Sequence, residues 1–159
     1  LLRPGLRRPG PVRRSRDLIL LEGLTPSRQV SKMTENEIGR IVVDSAVSLH
    51  KALGPGLLES VYEIILTHEL ERRGCSVARQ VPIPIQYQDI RFDEGFRADM
   101  VVEGKVILEL KSVEQTTRAH AKQVLTYLRL TGMKLGFLLN FGEALMRDGI
   151  SRVINGDLD

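Results

Sequence analysis

An α/β sandwich with a mixed sheet flanked by helices is the fold that this sequence predicts, and three observations predict it. Two stretches of helical apolar period stand before residue 75. Segments of strand type follow, separated by turn residues. A further helical stretch then leads into a short, wholly apolar strand, the pattern of a crossover back into the same sheet. The 159 residues hold one domain with a real core and hardly two.

The first 32 residues are rich in Arg, Pro and Gly and lack a sustained apolar period, so they are expected to be a disordered tail. An upstream extension foreign to the natural product, with Met33 as the true start, is the other reading. The expected single domain is residues 33–159. Residues 1–32 carry eight basic side chains against Asp17 and Glu22, which leaves the remainder at −3 although the whole chain is +3. The basic balance therefore belongs to the tail. It gives no general support for nucleic-acid binding by the domain, although an Arg-rich arm can touch phosphates.

Thr34 followed by Glu37 forms the pattern of a capping box, and Ile38, Ile41, Val42, Ser45, Leu49 and Leu53 carry a helix over 35–53. Gly54-Pro55-Gly56 breaks it. A second helix carries Leu58, Val61, Tyr62, Ile65, Leu66 and Leu70, the first three expected to be buried, and stops at Gly74 behind Arg72 and Arg73. Residues 77–87 alternate, but Pro82 and Pro84 make them an edge or interrupted strand. Residues 95–102 and 106–112 form a hairpin, 116–130 a helix, 134–140 a buried strand and 150–154 a last strand.

The hairpin carries the chemistry. With a three-residue connection, Glu103-Gly104-Lys105, and a positive φ at Gly104, Asp99 lies opposite Glu109 and Lys111 opposite Arg97. One face is then Ala98, Met100, Val102, Val106, Leu108 and Leu110, all apolar. A slip of one residue would mix charge into it, so the apolar pattern selects this register. Asp99, Glu109 and Lys111 converge. Two carboxylates and a lysine can hold a divalent cation and act on water beside it. The plain alternative is a solvated cross-strand ion pair of little energetic weight.

Other chemistries lack their signals. One cysteine, Cys75, excludes an internal disulfide and a Cys-rich zinc site, and fits a reducing cytoplasm. No apolar run reaches the length of a membrane span, so no membrane partner is expected. There is no phosphate-binding loop, no nucleophile elbow and no zinc-protease helix motif. His50, His68 and His120 have no metal-site spacing. Aromatic residues are few; Tyr87, Phe92 and Phe96 are expected to serve core packing rather than base stacking.

The order Asp99…Glu109-x-Lys111 followed by a helix and a strand resembles the PD-(D/E)XK nuclease superfamily, with Ala98 in place of the proline. Gly56-Leu57-Leu58-Glu59-Ser60-Val61-Tyr62, His120-x-x-Gln123-x-x-x-Tyr127 and Gly136-Phe137-Leu138-Leu139-Asn140-Phe141-Gly142 further resemble the small prokaryotic GxxExxY proteins over roughly residues 35–155. The resemblance implies a restriction-endonuclease-like three-layer core, with two N-terminal helices before the catalytic hairpin. It implies a nuclease using Mg²⁺ or Mn²⁺, with Asp99, Glu109 and the backbone carbonyl of Leu110 as ligands. Lys111 would handle water and phosphate. Glu59 would assist, as catalytic residue or further ligand, and otherwise is an exposed helical carboxylate. Gln123 and Tyr127 would contact substrate, with a polar helix edge as the alternative. The partner implied is nucleic acid, DNA before RNA, with a homodimer or protein partner where a small core needs more surface. The rival reading is an inactive module that keeps the fold in a regulatory role.

Overall fold

The computed structural model describes residues 31–158. The basic segment 1–32 lies outside the described residues except for its last two. In chain order the elements are α1 (Glu35–Leu53), α2 (Glu59–Arg72), β1 (Val77–Tyr87), β2 (Ile90–Val102), β3 (Val106–Lys111), α3 (Arg118–Thr131), β4 (Leu135–Asn140) and, after a 3₁₀ turn at Met146–Gly149, β5 (Ile150–Ile154).

Local chemistry sets the helix starts. Glu37 N donates to Thr34 Oγ1 at 3.2 Å and Thr34 N to Glu37 Oε2 at 2.7 Å, the reciprocal box expected at the head of α1. α3 starts at Arg118, two residues later than expected, behind the N-cap Thr117, whose N–H donates to His120 Nδ1 at 3.2 Å. That bond accounts for His120. Leu58 is 74% exposed, against the expectation that it is buried. It precedes the first turn of α2 as the N-cap residue, so the apolar stripe begins only at Val61 and Tyr62.

The sheet runs β1-β2-β3-β4-β5 and is mixed: β3 and β4 are parallel and the other neighbours antiparallel. α3 is the crossover that parallel pairing requires. α1 and α2 cover one face, with Ile38, Val42, Tyr62 and Leu66 packed on Met100, Val102, Leu108 and Leu110. α3 covers the other, with Val124, Tyr127 and Leu128 packed on Val81, Val101, Ile107 and Leu138. These are the three layers and the mixed sheet expected of a restriction-endonuclease-like core.

Strand β2 is longer than its sequence pattern suggests, because β1 and β2 continue as a two-stranded arm past the helices. Tyr87, Ile90 and Phe92 on that arm are 66%, 54% and 57% exposed. The expectation that Tyr87 and Phe92 are core packing is therefore overturned: no helix among the described residues covers them. Phe96, nearer the core, stacks almost parallel on Tyr127 with ring centroids 3.7 Å apart.

Candidate active site

The β2–β3 register is the one selected by the apolar pattern: Val102 faces Val106, Val101 faces Ile107 and Met100 faces Leu108. The turn closes with Lys105 N donating to Val102 O at 3.0 Å, and both Glu103 and Gly104 have positive φ. The next pair would be Asp99 and Glu109, and there the regular ladder stops. Asp99 N donates to the Glu109 carboxylate at 3.2 Å, and Leu110 N donates to the Asp99 carboxylate at 2.8 Å. Side-chain oxygens have taken over from backbone carbonyls. β2 leaves β3 while still paired with β1, and β3 stays paired with β4 through Lys111 and Asn140. The two carboxylates stand in the resulting fork.

The fork has a backbone cause. Ala98 and Met100 are two apart and were expected to share a face, yet Ala98 packs in the α3-side core and Met100 in the α1/α2-side core. On β1, Val81 lies in the α3-side core while Val77 packs against the other. Between them Gln80 has a φ of 50°, and it sits opposite Asp99, flanked by the pairs Arg79–Met100 and Val81–Ala98. Both strands turn over at this level. The all-apolar face therefore ends at Met100, and the turn-over leaves Asp99 between the layers.

A residue not singled out in the sequence joins them. Glu63, on α2, is buried; Gln80 Nε2 donates to its carboxylate at 2.8 Å and Arg79 stands 3.5 Å from it. Its signal was its place four residues after Glu59, between buried Tyr62 and Leu66. Burial pushes the Asp99 carboxyl above its ordinary range, with the Glu63 charge adding to it. Glu109 is pushed up to about 8, by burial first and the Asp99 charge second. Tyr127 is pushed up to about 12, by burial and then by Glu109 and Asp99, which places this α3 residue within the field of the pair. Lys111 acts in the opposite sense on both carboxyls.

Glu59 meets the site from beside it. Exposed at the start of α2, it accepts a bond from Ser112 N at 3.4 Å, one residue past Lys111. The α2 acid whose charge acts on Asp99 is Glu63. Tyr62 is structural: its hydroxyl donates to Gly54 O at 2.6 Å, accepts from Leu57 N at 3.2 Å, and its ring stacks on Phe141. Gln123 is exposed on α3, and its side chain bonds to no other described residue. Asn140, fully buried, grips the chain beyond Lys111: its amide donates to Val113 O at 2.9 Å, while its oxygen accepts from Val113 N and Gly142 N at 3.1 Å. A side chain at Gly142 would overlap the Val113 backbone, so only glycine fits there. The Asn-Phe-Gly run is thus a clamp on the end of β3.

The family model for the PD-(D/E)XK nuclease superfamily matches residues 36–153. The chain belongs to that superfamily. No curated protein and no solved structure matches it. Superfamily membership makes this a nuclease-type domain, and PD-(D/E)XK nucleases generally use divalent metal ions. Among the described residues no group of three or more His, Cys, Asp or Glu side chains could hold an ion. The donor set still fits one. Half-buried Asp99 and buried Glu109 stand side by side and both resist ionisation, so a hard cation between them would supply the missing counter-charge.

Proposed function

We propose that this domain is a metal-dependent nuclease that hydrolyses phosphodiester bonds of nucleic acid, of the kind found among GxxExxY proteins. The observation that carries the reading is the fork, where half-buried Asp99 and buried Glu109 interrupt a ladder and crowd two carboxyls together. Such an arrangement costs stability, and a cation site is the function that repays it. Mg²⁺ or Mn²⁺ would be held by Asp99 and Glu109, with the carbonyl of Leu110 as a third oxygen. Bound there, a divalent ion lowers the pKa of attacking water and offsets charge on the departing oxygen.

The chain's own groups do the rest. Lys111, at the mouth of the fork on β3, brings a positive charge to the phosphate and orients the water. The Asn140 clamp holds the strand end that presents it. Glu63 takes the supporting place first given to Glu59, because its charge reaches Asp99. Glu59, bonded to Ser112, borders a shallow surface pocket with Gly56, Leu57, Leu58 and Ser60.

The test is cleavage of labelled DNA and RNA by the full chain with Mg²⁺ or Mn²⁺. Asp99→Ala and Lys111→Ala should each lose at least about 100-fold in rate while keeping the wild-type circular-dichroism spectrum. Wild-type rates in both variants would overturn the reading. Calorimetric titration with Mn²⁺ separates an active site from an inert fold: binding should disappear in Asp99→Ala.

A further inference from the structure

We infer that the outward stripe of α3, formed by Arg118, Lys122 and Arg129, is the surface that grips the phosphate backbone of a nucleic acid. Spacings of four and seven residues put the three on one side of the helix, with Thr126 between them. All three are exposed, and none makes an ion pair with a described residue. The opposite side of α3, with Val124, Tyr127, Leu128 and Thr131, is buried against the sheet.

A solvated helix face ordinarily mixes signs. The exposed side of α1 does so, with Glu37, Asp44, Arg40 and Lys51, and α2 does so with Glu71 and Arg72. Not one of the 14 residues of α3 is acidic. Outside α3, residues 33–159 carry six more acidic than basic side chains, so the only wholly basic helix among the described ones stands out against an acidic background. It also lies beside the fork, on the sheet face opposite α2. Gln123, exposed one turn before Tyr127, lies on the flank between the stripe and Tyr127, which feels Asp99 and Glu109. From Arg118 to Arg129 the stripe spans about 16 Å, enough to meet several successive phosphates.

The inference rests on the nuclease reading for its choice of polyanion, and its test does not require turnover. Binding of a 20-base-pair DNA duplex, and of single-stranded DNA and RNA of that length, is measured for the full chain in EDTA over a series of salt concentrations. The variant is Arg118→Gln/Lys122→Gln/Arg129→Gln. The control is Arg40→Gln/Lys51→Gln/Arg147→Gln, three exposed cations elsewhere. The basic residues before Met33 are common to all the proteins and cancel. Loss of three phosphate contacts should lower the slope of log affinity against log salt by about 2.7, so that between 50 and 200 mM salt wild type loses about 40-fold more affinity than the variant. The control should keep the wild-type slope.

Equal slopes in wild type and α3 variant overturn the inference. So does an equal loss in variant and control, and so does absence of binding by wild type. The nuclease reading is judged separately, by whether Asp99→Ala abolishes cleavage. In that assay the α3 variant should raise KM about 10-fold or more with kcat unchanged, which a folding defect would not do.

Discussion

From Met100 to Val102, β2 pairs with β3 residue for residue, with apolar side chains buried on both sheet faces; one position further, at Asp99, the same strands exchange carboxylates instead of ladder bonds. The first stretch serves stability. The backbones pair in a regular ladder, and the side chains fill two cores. The second sets half-buried Asp99 beside buried Glu109, an arrangement that folding alone would not select. A stretch of regular pairing and a stretch of exchanged carboxylates thus meet within two residues, and substitution should separate them.

The largest expected difference comes from Leu108→Ala against its neighbour. Leu108 is fully buried in the paired stretch, and its truncation leaves a cavity under α1 and α2. A loss of about 2–5 kcal/mol in denaturant unfolding is expected, with site chemistry intact in the fraction that stays folded. If Leu108→Ala abolished cation binding while leaving stability unchanged, the division between the two stretches would be false.

Glu109→Gln should move stability the other way. The folded-state pKa of Glu109, about 8, lies above its ordinary value of 4.5. Between those values the folded chain holds a proton that the unfolded chain has released, so metal-free wild type loses stability as pH rises through that window. Glutamine cannot ionise, and its oxygen can still accept from Asp99 N. The variant should therefore fall less steeply with pH, keeping only the part due to Asp99, and at pH 8 in EDTA be more stable than wild type by about 2–4 kcal/mol. Denaturant melts at pH 5 and pH 8 measure this. Wild-type stability that rises between them would show that Glu109 is not held protonated.

The two stretches also differ in how far the sequence revealed them. The hydrophobic alternation of residues 98–110 forbade a slipped register, so the pairing from Val102 to Met100 and the approach of Asp99 to Glu109 could be read without coordinates. Helix heads were legible where a side chain caps them, as at Thr34. The turn-over at Gln80 was not, because glutamine gives no sign of a left-handed backbone, and that turn-over moved Ala98 to the other core. Glu63 was missed for a related reason. Glu59 and Glu63 share one side of α2, and only the position of β1 decides which of them Gln80 and Arg79 can reach. The arm misled because alternation tells which side of a strand is apolar, and not whether anything covers it; Phe92 is the example.

The smallest expected effect has a diagnostic sign. In an ordinary strand glycine is less stable than alanine by about 0.5–1 kcal/mol, because it has more freedom to lose. Gln80 is opposite Asp99 with a φ of 50°, where a Cβ is costly. Gln80→Ala loses the amide bond to Glu63 and keeps that cost; Gln80→Gly loses the same bond and is relieved of it. The glycine variant should therefore be the more stable of the two, by about 1 kcal/mol, in paired denaturant melts. The ordinary order, alanine above glycine, would mean that Gln80 holds the turn-over through its side chain alone. With the order inverted, the strand turns over because its backbone does, and the carboxylates stand in the fork as a consequence of that turn.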